Sequence, residues 1–519
     1  MMTNIRYTTV TFSPIQGFIE KSRKLRDLYG GSFILSYLAR TLCDRAKAQN
    51  RTVISPAIIN VVQGTPNQII IEGDFPKAEA QGTFDEAWKT IVFTCQEWLE
   101  TNLSPPNTHQ YRWRQNWEAW ANHAWEFFWA QGRSIGEARH ALNEAKRCRA
   151  WTGINWMGES STLSGMDAIA HPTMDQFHPQ HSSYAEEAQK IKQFYQQLSD
   201  KISTSIIDPT EQLSIPELIK RLITLHPIAS RLKLSETELP EVELPPSFRD
   251  LNRFEENRWT GWFQGDGDRI GEYLKTLNEK GEAEAKILQQ FSQAMLDWGK
   301  EALKPSVKAN LGRVIYAGGD DFLGVFYQDY NGNAEKQTLL NTCLEWFYRF
   351  KGEVWQQHEQ DITVSVGFVW AGGGVPQRDV LQHCREAEQA AKKGGRDRLA
   401  IRVLFNSGNY LEWTCPWWFL ETVLTSYRDR SGNQNWTHIY NDIAALEARH
   451  AFSDNSEVAL GLFSIYFGEA NCQHLQQNLW TTPEHSGILG SVPSNVANPQ
   501  QALNQWIINL AKVGFHLCQ

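Results

Sequence analysis

At 519 residues the chain is longer than a single hydrophobic core organises, so roughly three to four domains are expected. Its 41% hydrophobic and 21% charged residues are those of an ordinary globular protein; no apolar run is long enough to span a bilayer and no leader peptide is visible, so a cytoplasmic protein without a membrane partner is expected. A net charge of −9 argues against a nucleic-acid grip over a whole face, and eight scattered cysteines without a CxxC pair argue against a disulfide frame. Residues 5–13 (IRYTTVTFS) read as a strand, and 16–49 as a long helix with Gly30-Gly31 inside it. Apolar runs at 53–62 and 68–72, separated by Gln63–Asn67 with its Gly and Pro, read as a hairpin. A helix over 83–101 and a strand over 123–130 complete the order βαββαβ, that of a ferredoxin-like fold. Residues 137–245 differ in character, with helical stretches at 184–200 and 211–225, and end in a Pro- and Glu-rich linker, ELPEVELPPSF.

The order then returns. A strand at 259–265 precedes helices at 269–279 and 281–303, a hairpin at 312–327, a helix at 334–358 and a strand at 362–370. A helix at 377–393 and a strand at 398–405 follow, and beyond about 406 the pattern is helical. The fold class is therefore α+β. A first palm-like unit (1–136), an insert (137–245), a second unit (246–405) and a C-terminal helical domain (406–519) are expected.

The chemistry concentrates in the second unit. Asp266 and Asp268 follow a strand in FQGDGDRIG, and Asp320 and Asp321 lie in a hairpin turn, YAGGDDF, 54 residues later. In a ferredoxin-like sheet the first strand and the central hairpin are neighbours, so the two acidic turns meet at one edge. Carboxylates brought so close repel unless a cation lies between them, and oxygen ligands without His or Cys suit Mg²⁺ or Mn²⁺. Two such ions roughly 3.5–4 Å apart activate an attacking hydroxyl and steady a leaving pyrophosphate. Gly318 and Gly319 permit the tight turn and bring backbone amides close to phosphate. An EF-hand is excluded because its fifth and twelfth positions are Ile270 and Leu277, a Rossmann loop because its third glycine position is Ile270, and a P-loop because GxxxxGK[ST] is absent. Lys392 ends a helix before Gly394-Gly395, where it can reach a triphosphate or merely complement the helix dipole. Basic clusters at Lys21–Arg26 and Lys392–Arg398 read equally as local RNA contacts or as solvated helix faces.

FQGDGDRIG, YAGGDDFLGVF, ITVSVGFVWA and EAEQAAKKGGRDRL, in this order, resemble the cyclase palm of the large subunit of type III CRISPR-Cas effector complexes and, more distantly, GGDEF diguanylate cyclases. The opening TFSPIQGFIEKSRKLRDLYGGSFILSYLAR is similar to the first, degenerate palm of the CRISPR subunit, a half that diguanylate cyclases lack. The resemblance implies conversion of ATP to cyclic oligoadenylates once target RNA is bound, in a guide RNA complex with backbone, small and stem subunits. It implies Asp266, Asp320 and Asp321 as catalytic metal ligands, Asp268 as a supporting ligand, and Gly267, Ser365 and Lys392 at the nucleotide. Ser13, Gln16, Arg23 and Arg26 of the first palm become candidates for a second ATP. No His-Asp dipeptide occurs, so HD-type DNase activity is not expected. Relatives often carry a four-cysteine zinc site between the palms; here only Cys148 stands near that place, with His140, His171 and His178 at a distance, and zinc is not expected. A catalytically silent scaffold of the same complex and a stand-alone nucleotide cyclase remain as other readings.

Overall fold

The computed structural model describes residues 6–518 apart from 58–63, 106–109, 150–152, 233, 235–238, 240–257, 280–283, 309, 328–335, 453–454 and 492–498. Gln63 of the expected hairpin turn and most of the Pro- and Glu-rich linker lie outside the described residues. The chain divides into two units, residues 1–251 with 278–293, and 252–277 with 294–519.

In the first unit β1 (Tyr7–Ser13), β2 (Thr52–Ser55), β3 (Ile69–Glu72) and β4 (Glu126–Gly132) form an antiparallel sheet in the order β2-β3-β1-β4. That is the ferredoxin-like arrangement anticipated from the element order. The long helix expected over 16–49 is broken into Ile15–Glu20 and Leu25–Ala48. Asp27 causes the restart, because its Oδ2 accepts the backbone N–H of both Arg23 and Lys24, at 3.0 Å each, and so satisfies donors that a new helix leaves orphaned. Gly30 has a packing reason: a Cβ there would stand 1.9 Å from the Lys220 carbonyl oxygen, so only glycine lets the helix Ile215–Leu222 cross at that point. A helix at Arg114–His123, which patterning did not anticipate, leads into β4.

The expected insert does not stand apart. Ile191, Phe194, Tyr195 and Leu198 of the helix Tyr184–Ile202, with Leu218 and Ile219, share one core with Phe33, Leu38 and Trp88 of the first palm. Buried charges tie the two segments. Arg221 donates Nε and Nη2 to Asp27 at 2.6 and 2.7 Å and Nη1 to Glu211 at 2.8 Å, and the Lys220 ammonium reaches the carbonyls of Phe18 and Lys21. The Arg221 and Lys220 charges beside Asp27 hold its carboxyl down at about 2 against the opposing effect of burial.

In the second unit β5 (Thr260–Gly267), β6 (Gly312–Ala317), β7 (Phe322–Phe326), β8 (Val364–Ala371), β9 (Arg398–Leu404) and β10 (Tyr410–Pro416) take the order β10-β9-β8-β5-β7-β6. The β8-β5-β7-β6 part repeats the arrangement of the first sheet. β9 is added parallel to β8 through the helix Gln377–Lys393, as a crossover connection requires. β10 corrects the expectation of a purely helical chain beyond 406: Trp413 and Cys415 alternate inward from YLEWTCP, a two-residue period hidden in a Trp- and Leu-rich stretch. Helices Trp417–Ser426, Thr437–Ala448, Glu457–Phe467, Glu469–Gln477 and Pro499–Leu517 follow. Beneath the sheet Phe263, Phe322, Trp346, Phe350 and Trp355 pack as one aromatic layer that holds β5 and β7 rigidly.

Candidate active site

Strand register builds the acidic cluster. Gly265 of β5 lies opposite Phe322 of β7, and Asp266 lies opposite Ser365 of β8. Asp266 is therefore carried to the sheet edge beside Asp321, the residue just before Phe322. The turn from β6 to β7 closes through the Gly318 N–H, which donates to the Asp321 carbonyl at 3.2 Å. The Tyr316 ring lies against that turn and would meet a Cβ on Gly318 at 2.1 Å, while Gly319 holds φ at +141°. Both glycines are thus required by shape. A Cβ on Gly267 would come within 3.2 Å of the Asp320 Cβ, so the two acidic segments pack in direct contact.

Asp266 neighbours both Asp320 and Asp321, and its charge acts on each of them. Loss of water and then the neighbouring Asp266 charge push Asp320 up to about 7, and the same causes raise Asp321, whose outer edge still reaches solvent. Burial, followed by the charges of Asp321, Asp320 and Asp266, raises the Tyr316 phenol and keeps it protonated. Lys392 answers this negative charge. The Lys392 ammonium pairs with Asp266 and, at 2.6 Å, with Glu388 one helical turn earlier, and those two carboxylates raise the Lys392 pKa against its partial burial. Glu388 also accepts from Gln264 Nε2 at 3.3 Å.

Asp268 has a different task from the other three. Its Oδ1 accepts from Ser365 Oγ at 2.7 Å, and its Oδ2 from Thr363 Oγ1 at 2.8 Å and the Asp397 N–H at 3.0 Å. Ser365, expected at the nucleotide, is fully buried and anchors Asp268, which holds the DGD turn in place. The structure thus brings together Asp266, Asp320, Asp321 and Lys392, and adds Glu388 and Tyr316, which sequence reasoning missed. The Glu388–Lys392 spacing of four within one helix was the available signal for Glu388; Tyr316 had none.

In the first unit, Ser13 ends β1 half-buried and Gln16 is exposed in the following helix. Arg23 is 47% exposed, 4.0 Å from Glu211. Arg26 departs from expectation: it is 0% exposed and donates Nη1 to Thr224 Oγ1 at 2.8 Å, a residue of the core rather than of a nucleotide surface. The basic residues around it serve internal pairing as well, Lys21 with Asp167 at 2.7 Å and Lys24 with Glu211 at 3.1 Å. Of the zinc candidates, Cys148 is exposed and His171 Nε2 lies 3.0 Å from Glu187.

The donor set suits hard divalent cations: carboxylate oxygens crowded enough that burial and the Asp266 charge raise both Asp320 and Asp321, at a tight backbone turn. Among the described residues, no three of His, Cys, Asp and Glu form a ready-made metal cage. Mg²⁺ needs none, because it keeps waters and is held through one or two carboxylates plus substrate phosphates. Lys392 supplies the neutralising charge at Asp266 meanwhile.

Two ferredoxin-like sheets, one with an acidic hairpin against the end of its first strand, define a protein with paired palm domains. Family models agree: "Cas10/Cmr2, second palm domain" matches residues 260–400 and "CRISPR-associated protein Cmr2, N-terminal" matches 7–126, together half of the chain. The chain belongs to the Cas10 family of large subunits of type III CRISPR-Cas effector complexes. Among solved structures it is similar to a type III-B Cmr-beta complex in the apo state, with 11% identity over 98% of this chain and 82% of that one and a TM-score of 0.57. It is also similar to a Csm1-Csm4 cassette in complex with cA4 (14% identity, 99% and 70% covered, TM-score 0.45). Csm1 of T. onnurineus is a further match, with 12% identity, 99% and 70% covered, and a TM-score of 0.47. No curated protein matches the chain. Among the described residues no helix is long and apolar enough to cross a membrane.

Proposed function

We propose that this chain converts ATP to cyclic oligoadenylates by two-metal nucleotidyl transfer, within a guide RNA complex and in response to bound target RNA. One observation carries the chemistry: Asp266, Asp320 and Asp321 converge at one sheet edge, where burial and then the Asp266 charge raise Asp320 and Asp321, a charge arrangement that calls for bound cations. In the reaction a 3′-hydroxyl oxygen forms a bond to an α-phosphorus, the bond from that phosphorus to the bridging oxygen breaks, and pyrophosphate leaves. Two Mg²⁺ or Mn²⁺ ions held by Asp266, Asp320 and Asp321 would neutralise the attacking and leaving oxygens. Lys392 offers its ammonium to the triphosphate as a point charge once Asp266 is otherwise neutralised. Gly318 and Gly319, the latter with φ at +141°, form the tight turn whose backbone would approach phosphate, and Gly267 lies next to that turn. Asp268, fixed by Ser365 and Thr363, keeps Asp266 aimed at the hairpin. In the first unit Ser13, Gln16 and Arg23 are the candidates for further nucleotide contacts.

The test is incubation with ATP and Mg²⁺ or Mn²⁺, with and without guide complex and target RNA. Cyclic product is expected with target RNA, and Asp320→Ala with Asp321→Ala should abolish it while assembly persists. Absence of product under every condition would sink the reading. Full activity in the double variant would instead show that the chemistry lies elsewhere in the chain.

A further inference from the structure

The segment after the helix Glu469–Gln477 lies on the turn that ends the helix Gln377–Lys393. Arg398, the first residue of β9, is 0% exposed, and its guanidinium is spent mainly on that segment. Nη1 donates to the Ile488 carbonyl at 3.1 Å, Nη2 to Ser486 Oγ at 2.7 Å and the Gly487 carbonyl at 2.6 Å, and Nε to the Arg396 carbonyl at 3.2 Å. Ser486 Oγ donates in turn to the Arg396 carbonyl at 2.9 Å. The backbones touch as well: a Cβ on Gly490, where φ is +89°, would stand 2.0 Å from the Gly394 oxygen. The loop is itself braced. Ile488 and Leu489 donate their N–H groups to the carbonyls of Asn478 and Leu479, and Trp418 Nε1 donates to the Ser486 carbonyl at 2.8 Å.

The turn so gripped is strained. Arg396 and Asp397 hold φ at +65° and +50°, left-handed values that non-glycine residues keep only where their surroundings impose them. Its other side faces the candidate site: Lys392, just before Gly394, pairs with Asp266, and the Asp397 N–H donates to Asp268. We infer that loop 478–490 is a clamp and Arg398 a positioning residue, which together hold the Gly394–Asp397 turn in its strained form and so set where Lys392 and Asp268 stand. The clamp rests on geometry alone; its consequence for nucleotide handling rests on the proposed function.

Full-length Ser486→Ala and Gly490→Ala variants test both parts, with Arg398→Lys as a harsher third that is not needed if it fails to fold. The first readout is backbone hydrogen exchange over 393–398. Ser486→Ala removes the hydrogen bonds from Arg398 and to Arg396, and loosening the turn by the worth of even one of them should speed exchange at Asp397 roughly fivefold or more while the global unfolding midpoint moves by less than about 4 °C. Unchanged exchange in both variants overturns the clamp. The second readout is Mg²⁺-ATP affinity. Ser486→Ala should weaken it roughly fivefold in the unmodified chain and less than about twofold beside Lys392→Met, because the clamp acts through Lys392. Equal losses in the two backgrounds overturn that route. Should the Asp320/Asp321 double variant keep its turnover, the proposed function fails, and the exchange result still decides the clamp.

Discussion

Burial of Asp320 beside the Asp266 charge makes the protein's stability depend on protons. Asp320 is raised to about 7 from an ordinary carboxylate value, so the folded state binds its proton more tightly than the unfolded chain does. That contribution is fully present below about pH 4 and is lost as pH rises through about 7. Without divalent ions the unfolding midpoint should therefore rise between pH 8 and pH 5.5. Asp320→Asn with Asp321→Asn should flatten the slope, and a metal-free midpoint that instead falls over this interval would contradict it. Mg²⁺ held at these carboxylates, as proposed, would act in the opposite sense, because binding requires the ionised carboxylates and releases their protons. Its stabilising shift should be larger at pH 8 than at pH 6, as a thermal melt with and without the ion would show. Asp266, Asp320 and Asp321 were legible in the sequence because a Gly-Gly turn between apolar strands needs a chemical reason. Tyr316, Thr363 and Asp397 were not, because each acts through a contact across strands or turns that no local spacing records.

Elements were legible where hydrophobic periodicity was uninterrupted. The helix Gln377–Lys393 and most strands of the two ferredoxin-like sheets follow their patterns to within a few residues, whereas β2 (Thr52–Ser55) covers only the start of the run expected at 53–62, of which 58–62 lie outside the described residues. The break at Lys21–Lys24 and the strand Tyr410–Pro416 escaped, one because a side-chain cap decides it and the other because neighbouring helices share its apolar composition. Gly30 and Gly31 show what such contacts do to adjacent, identical residues. At Gly30 a methyl group would strike the Lys220 carbonyl oxygen at 1.9 Å, whereas at Gly31 the nearest atom is the Lys220 Cδ at 3.6 Å. Gly30→Ala must push two helices apart and should cost about 1–3 kcal/mol. Gly31→Ala gains helix propensity while its methyl group meets Lys220 Cδ and Phe18 only at ordinary van der Waals distance, and it should be neutral or stabilising by up to about 1 kcal/mol. Denaturant unfolding of the two variants checks this, and equal effects would show that the helix Ile215–Leu222 does not cross at Gly30.

The boundary suggested by composition near residue 136 runs through a core rather than between cores. Ile191, Phe194, Tyr195, Leu198, Leu218, Ile219 and Leu222 are each 0–2% exposed and pack with side chains from the first sheet and its helices. A fragment of residues 1–136 would expose the surfaces they cover. At roughly 1.5–3 kcal/mol for each large apolar side chain, the loss is on the order of 10 kcal/mol or more, comparable to the whole stability of a typical domain. The fragment would also leave Asp27 facing the place of Arg221, a severed buried pair that costs roughly 3–5 kcal/mol by itself. Residues 1–136 alone should thus show no cooperative denaturant transition, and near-ultraviolet circular dichroism should report no fixed aromatic packing. In the full chain Arg221→Met should lower stability by roughly 3–5 kcal/mol, and Arg221→Met with Asp27→Leu should recover part of that loss, since the Asp27 charge is then gone while Glu211 keeps Lys24. A sigmoidal transition from the fragment, with the steepness expected for its length, would mean that the first palm folds unaided and that the insert merely rests on it. The sharing of one core by segments so distant in sequence argues for the opposite: the first ferredoxin-like sheet is kept in shape by the segment that follows it.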